Sequence, residues 1–382
     1  MLDQVLATRY VAPLREGGSL PGIVEAADLG TYVMKFRGAG QGTKALVAEV
    51  IVHGIARRLG VRTPDIVLLD LDPAIARYEA DEEVQDLLNA SIGLNLGIDF
   101  LPGALGYDGK SFAIEPDEAA RILWLDAFVA NVDRSWQNPN LLLWHHELWC
   151  IDHGAALYFH HNWTTAADVV PQRFASQAYA FDKHIMNAYV DGLPVADGEL
   201  APQVTRQLLV EVLDDVPSSW LEAPEPRIDG ARLVRRLSSR QGGCTPRVVG
   251  SGVMNTELRV PFQYFVIRCM PRVDRGEFVN VGVVIFCQAA EYLDARIHLP
   301  VERVAALDED VDIASLGAAL NNIEAICHGD ESAGEAATGD LGKRFGWLAA
   351  PRSTVLQPGP VHGGLTADPA AELTRLAEAL LH

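Results

Sequence analysis

Asn131-Val-Asp-Arg-Ser-Trp-Gln-Asn-Pro-Asn140 and Ile151-Asp-His-Gly154 bracket the part of this 382-residue chain that decides its reading. Between them, Asn140–Trp144 and Leu148–Ile151 are apolar runs around the polar tip His145-His-Glu147, which predicts a β-hairpin. Just upstream, Asp117–Asn131 carries Ile122, Leu125, Phe128 and Val129 on one face of a predicted amphipathic helix. The order is helix, loop, hairpin, Asp-x-Gly. Asp133 and Asn138 sit in the loop, and Asp152 follows the second strand directly. An Asp–Asn pair at that spacing is common by chance; a second aspartate closing the next hairpin raises the signal. One carboxylate can orient an attacking hydroxyl, while the second and the amide oxygen suit a hard divalent cation.

Further toward the N-terminus, Thr31-Tyr-Val-Met-Lys-Phe36 has the composition of a strand, interrupted by Lys35. Only five lysines occur among 31 basic residues, so a lysine inside an apolar strand is conspicuous. A turn, Gly38-Ala-Gly-Gln-Gly42, leads to Thr43, the expected N-cap of a helix running to Leu59, with Gly60 as its stop. Glu49 lies on that helix. The plainer readings are an edge-strand lysine that discourages aggregation and a solvent-facing glutamate. Ahead of the strand, Gly17, Gly18 and Ser19 can form a turn whose backbone N–H groups cover a phosphate, although Gly-Gly-Ser is also ordinary loop sequence. Ile66–Leu69 reads as a strand and Glu82–Leu88 as a helix.

The length predicts two domains. A 49% hydrophobic, 21% charged composition supports a buried core. The net charge of −20 argues against generic nucleic-acid coating or adhesion to anionic membranes. No run of about 20 apolar residues and no signal peptide are visible, and the five cysteines lack Cys-x-x-Cys spacing, so a cytoplasmic protein with free thiols is expected. Prolines at 217, 224 and 226 break the periodic pattern, a short helix is expected near Ile228–Arg240, and a Gly/Ser-containing linker at 243–257. This divides the chain into 1–242, the linker, and 258–382. Ten arginines against three acids between Arg227 and Arg275 form a basic belt: a solvated or interdomain face, or a docking site for an acidic or phosphorylated partner.

Taken in order, Leu29–Phe36 with Lys35, Gly38–Gly42, the Ala48-Glu49 helix, Asp99-Phe-Leu-Pro-Gly103, Asn131–Asn140 and Ile151–Ala155 make residues 15–240 resemble the HipA-like Ser/Thr kinase family. The resemblance implies an α/β (α+β) fold: a two-lobed protein-kinase-like domain followed by a smaller α+β domain. It implies transfer of the γ-phosphoryl group of ATP, with Mg²⁺, to a Ser/Thr hydroxyl of a protein or of the chain itself. Such chemistry asks the protein mainly for positioning and charge neutralisation. By position, Asp133 is implied as the catalytic aspartate. Lys35, partnered by Glu49, is placed on the ATP phosphates under the Gly17-Gly18-Ser19 turn. Asn138 and Asp152 are implied as Mg²⁺ ligands, and Phe100 and Leu101 lie near the adenine. His153 replaces the usual Phe of Asp-Phe-Gly, and Ser19 is the candidate for self-phosphorylation. Two alternatives stay open: a nucleotide-binding pseudokinase or scaffold, and a small-molecule phosphotransferase sharing the same Asp/Asn/Asp geometry.

His145, His146, His153, His160 and His161 invite a zinc reading, but their spacing fits a turn tip and loop better. The tryptophans from Trp124 to Trp163 are expected in core and loop packing. Phe262–Met270 and Phe278–Cys287 predict a second hairpin, with helices at Val311–His328 and Pro369–Leu381. Through Arg275–Gly282 and Pro351-Arg-Ser-Thr354 this half resembles an uncharacterised α/β family found beside HipA-like kinases, which supplies no activity. Arg275, Arg344, Arg352, Ser353 and Thr354 either converge on an anion or serve packing and structural hydrogen bonds.

Overall fold

The computed structural model describes residues 2–14, 20–40, 42–77, 79, 81–157, 178–221 and 259–381. The expected helix at 228–240 and linker at 243–257 lie outside the described residues.

Five strands form a small closed barrel: β1 (Gln4–Pro13), β2 (Gly22–Ala26), β3 (Thr31–Lys35), β4 (Ile66–Leu71) and β5 (Gly93–Asp99). They run in the order β1-β2-β3-β5-β4, closed by a parallel β1–β4 pair. Alternation along β3 buries Tyr32 and Met34 against Ala7, Val24 and Leu69. The same alternation sends Val33 and Lys35 to the opposite face, where both line a cavity.

Helix α1 (Thr43–Arg58) connects β3 to β4 and packs Leu46, Val47 and Val50 against Ile66, Leu68 and Leu96. Thr43 is its first helical residue, not its cap. Gly42 occupies the cap position at φ 65°, and no side chain makes a capping bond. A left-handed backbone there favours glycine over threonine. Gly60, at φ 71°, follows the last turn as expected. After the short α2 (Pro73–Ala76), helix α3 (Glu82–Ala90) is capped by Asp81.

Beyond the barrel, α4 (Pro116–Phe128) stops short of the expected Asn131. Ala130 turns left-handed at φ 50°, and Asn131 N–H bonds back to Asp126 O at 2.8 Å, so the chain leaves the helix one turn early. Phe128 is correspondingly on the outside, 40% exposed and stacked on Trp124. The hairpin is present as β7 (Leu141–Trp144) and β8 (Glu147–Cys150), with β6 (Leu105–Gly106) added to β7. Helices α5 (Leu193–Leu200), α6 (Arg206–Leu213) and α7 (Ser218–Leu221) complete this part. Ile55, Leu123, Leu125, Leu141, Leu148 and Leu200 share one core.

The C-terminal part is an antiparallel sheet. β9 (Val260–Cys269), β10 (Val279–Cys287), β11 (Tyr292–Ile297) and β12 (Leu356–Pro358) run in the order β11-β10-β9-β12, and β13 (His362–Thr366) also pairs with β9. Of its helices α8 (Val301–Leu307), α9 (Ile313–His328), α10 (Leu341–Leu348) and α11 (Pro369–Leu380), α9 and α11 cover opposite faces. β10 is therefore buried on both sides, which is why Val-Asn-Val-Gly-Val-Val-Ile-Phe-Cys is nearly continuous in apolar residues. Leu105 and Leu143 belong to the same core as Phe265, Ile267, Leu316 and Leu320. Leu105 on β6 and Leu143 on β7 thus join the core of the C-terminal part. Cys150, Cys269, Cys287 and Cys327 are buried free thiols.

Candidate active site

Charged side chains from three segments meet at the base of the cavity. The Lys35 ammonium donates to Glu49 Oε1 on α1 and to Asp152 Oδ1, the latter at 2.5 Å. Glu49 Oε2 accepts the His153 backbone N–H at 2.9 Å, tying α1 to the Asp-His-Gly segment. Glu49 is 3% exposed and Lys35 12%, whereas Asp152 is 43% exposed and faces the cavity. Burial opposes charge on Lys35, but Asp152 and Glu49 outweigh it and hold the ammonium well above the usual lysine range. For Asp152, burial would raise the carboxyl, yet the Lys35 charge wins and holds it down at about 2. Burial pushes Glu49 up against the pull of Lys35. Asp152 itself stands at φ 52°. A β-carbon on Gly154 would lie 3.4 Å from both Ala45 Cβ and Glu49 Oε1, so the glycine lets the segment approach the ion pair closely.

Asp133 and Asn138 are joined directly. Asn138 Nδ2 donates to Asp133 Oδ2 at 2.8 Å, and Asn140 Nδ2 reaches the same oxygen at 3.3 Å. The Asn131 side chain accepts the Asp133 N–H at 3.1 Å. These bonds orient the Asp133 carboxylate and commit the Asn138 amide nitrogen, leaving its amide oxygen as a donor toward a cation.

Beneath this loop lies a buried network. Arg134 and Asp126 are both fully buried and paired at 2.5 Å. Asp126 also accepts from Asn131 Nδ2 at 2.9 Å and stands 3.0 Å from His184 Nε2. Burial would raise Asp126, but the Arg134 guanidinium overrides it and holds the carboxyl far below its usual range. Arg134 further donates to Asn140 O at the start of β7, and its Nη2 stands 3.2 Å from His153 Nδ1. One guanidinium thus fixes the Asp133 loop, the hairpin and the Asp-His-Gly segment to one another. Sequence reasoning missed both residues. The available signal was a carboxylate, Asp126, among the apolar positions of α4.

The cavity, of about 180 Å³, extends from Lys35 and Asp152 to Phe100 and Leu101, with Asn138 along its wall. Trp144 Nε1 donates to Pro102 O at 2.8 Å, holding the segment after β5 against the hairpin. The structure therefore brings Lys35, Glu49 and Asp152 into contact, joins Asp133 to Asn138, and places Phe100 and Leu101 at the far end of the same cavity. Gly17, Gly18 and Ser19 lie outside the described residues; Leu14 and Pro21, on either side, line the cavity. Among the described residues no three His, Cys, Asp or Glu side chains cluster as metal ligands.

A model described as HipA-like kinase matches residues 8–237, well over half of the chain. The chain belongs to the HipA-like kinase family. Residues 264–381 match a second family, described as protein of unknown function (DUF3037). No curated protein and no solved structure matches the chain. In this HipA-like kinase the residue after Asp152 is His153. Its ring is buried beside Arg134, and burial together with that guanidinium pushes it down to about 3, so it is neutral.

Within the described part of the basic belt, Arg259 and Arg275 are exposed, whereas two others make local contacts. Arg268 lies over the Phe278 ring at 4.5 Å, and Arg272 pairs with Asp274 at 2.8 Å. Arg344 donates to Cys327 O at the end of α9, and Arg352 stacks on Trp347 at 4.1 Å. Of the five residues weighed as an anion site, Arg344 and Arg352 make these contacts, and Arg275 is exposed. No helix among the described residues is long and apolar enough to cross a membrane.

Proposed function

We propose that the chain is an ATP- and Mg²⁺-dependent kinase that transfers the γ-phosphoryl group to a Ser/Thr hydroxyl. The closed barrel forms the smaller lobe and the helical part the larger one. The observation that carries this is the meeting of Lys35, Glu49 and Asp152 at one end of a cavity whose wall includes Asn138. An ammonium held charged between two carboxylates aims a fixed positive charge at the phosphates. Asp133, oriented by Asn138 and Asn140, is the group that accepts the proton of the attacking hydroxyl. The donor set fits magnesium: Asp152 presents a carboxylate to the cavity and Asn138 an amide oxygen. Asp152 and Asn138 would hold such an ion. When bound, it would neutralise developing phosphate charge.

A second reading, phosphorylation of a small molecule, draws support from another cavity of about 240 Å³. It lies between the Gln137–Leu142 segment and α9, with Asn322 and Arg352 on its far side. Thermal unfolding of the full chain with a panel of nucleotides, with and without Mg²⁺, tests the proposal. Mg²⁺-ATP should raise the midpoint by several degrees, and Asp152→Ala should abolish the Mg²⁺-dependent part. A panel with no nucleotide effect contradicts it.

A further inference from the structure

The match to a family of unknown function leaves the C-terminal domain without a role, yet one of its segments lies inside the nucleotide cavity. Val273, Ser353, Thr354 and Val355 line the same cavity as Lys35, Asp152, Phe100 and Leu101. That segment is fixed from both sides. Val355 N–H donates to Ala104 O, just past the β5 exit, at 3.3 Å, and Met270 N–H donates to Val355 O at 2.7 Å. Val355 is buried, and Gln357 Nε2 holds Thr354 O at 3.0 Å. The Thr354 side chain rests over β6: a β-carbon built on Gly106 would lie 3.6 Å from its Cγ2.

The position of Thr354 along the cavity is informative. A nucleotide with its phosphates at Lys35 and its base at Phe100–Leu101 has its sugar between these ends. Thr354 lines both this cavity and the adjoining one, together with Asn138, Asn140 and Ile151, so it stands at the throat where they meet. The Thr354 hydroxyl donates to Leu356 O at 3.4 Å, which leaves its two acceptor positions for the hydroxyl groups of a diol. We propose that the C-terminal domain forms the ribose-side wall of the nucleotide cavity, with Thr354 as a nucleotide-positioning residue. The proposal rests on the kinase reading above and gives the appended domain a part in the nucleotide site itself.

Equilibrium binding of Mg²⁺-ATP, Mg²⁺-2′-deoxy-ATP and Mg²⁺-3′-deoxy-ATP to the full chain tests it. The unsubstituted chain should prefer ATP over at least one deoxy analogue by roughly 2- to 10-fold, the worth of one neutral hydrogen bond. Thr354→Val, which removes the hydroxyl at nearly constant volume, should erase that preference while leaving the deoxy analogue's affinity unchanged. Thr354→Trp, which fills the throat, should weaken ATP at least tenfold while the nucleotide-free unfolding midpoint holds. A Thr354→Val chain that keeps the full preference overturns the proposal, and so does a Thr354→Trp chain that binds ATP normally. Should Thr354→Trp fail to fold, the valine comparison alone decides. If the folded, unsubstituted chain binds none of the three nucleotides, the kinase reading fails, and this one with it.

Discussion

Arg134 shows how one side chain converts sequence neighbours into a site. Its charge is buried only because Asp126 is buried with it, and its remaining donors hold the start of β7 and the Asp-His-Gly segment. Removing one partner of a buried pair strands the other, at a cost of about 3–5 kcal/mol. Arg134→Met should therefore lower stability by that order in urea unfolding, more than any single exposed pair such as Arg375–Glu372 would. A second residue-scale prediction concerns pH. His53 on α1 is buried, and burial, helped by the nearby Arg57 charge, pushes it down to about 4. An unfolded histidine protonates near 6.5. Between those values the unfolded chain binds a proton that the folded chain refuses, so stability falls as pH drops from about 6.5 toward 4. His53→Gln should flatten that dependence in unfolding measurements at pH 7 and pH 5.

At the scale of elements, the β7–β8 hairpin sets the separation between Asn140 and Asp152. Its turn residues, His145 and His146, both adopt left-handed backbone at φ 50° and 61°. That is the geometry of a two-residue turn that favours Asn-Gly. His146→Gly should raise stability by several tenths to about 1 kcal/mol, read as a higher unfolding midpoint. It gives up only an exposed contact to Asp312. The hairpin, α1, α4 and β3 were legible because their apolar spacing is clean and their ends carry glycine or polar tips. β1, β2 and β5 were not recognised. They bury one face in a very small barrel, and β5, Gly-Leu-Asn-Leu-Gly-Ile-Asp, includes two glycines and a fully buried Asn95 that interrupt any strand pattern. Asn95 is spent on backbone: its side chain accepts from Arg37 N and donates to Ser91 O, contacts no sequence pattern announces. Lys35, Glu49, Asn138 and Asp152 could be named from order alone. The Asp126–Arg134 network could not, because its partners converge only in space.

Across the whole molecule, the two matched regions meet through core and polar contacts. Leu105 and Leu143 lie in the C-terminal core, and Asn322 donates to Asp108 at 2.6 Å, so catalytic frame and appended domain share apolar and polar contacts. Shared burial couples their stabilities, which predicts one cooperative calorimetric transition for the full chain; two well-separated transitions would show the cores to be independent. The proposed phosphoryl transfer runs through Asp133. General-base catalysis by a positioned carboxylate contributes about 10²- to 10⁴-fold. The most direct measurement incubates the full chain with γ-labelled ATP, Mg²⁺ and a cell lysate, beside Asp133→Asn at equal concentration. Label is expected on the chain or on a lysate acceptor, lost on chelation of Mg²⁺ and reduced at least a hundredfold in Asp133→Asn. Labelling by Asp133→Asn at the unsubstituted rate, or ATP bound and never turned over by the unsubstituted chain, would contradict it.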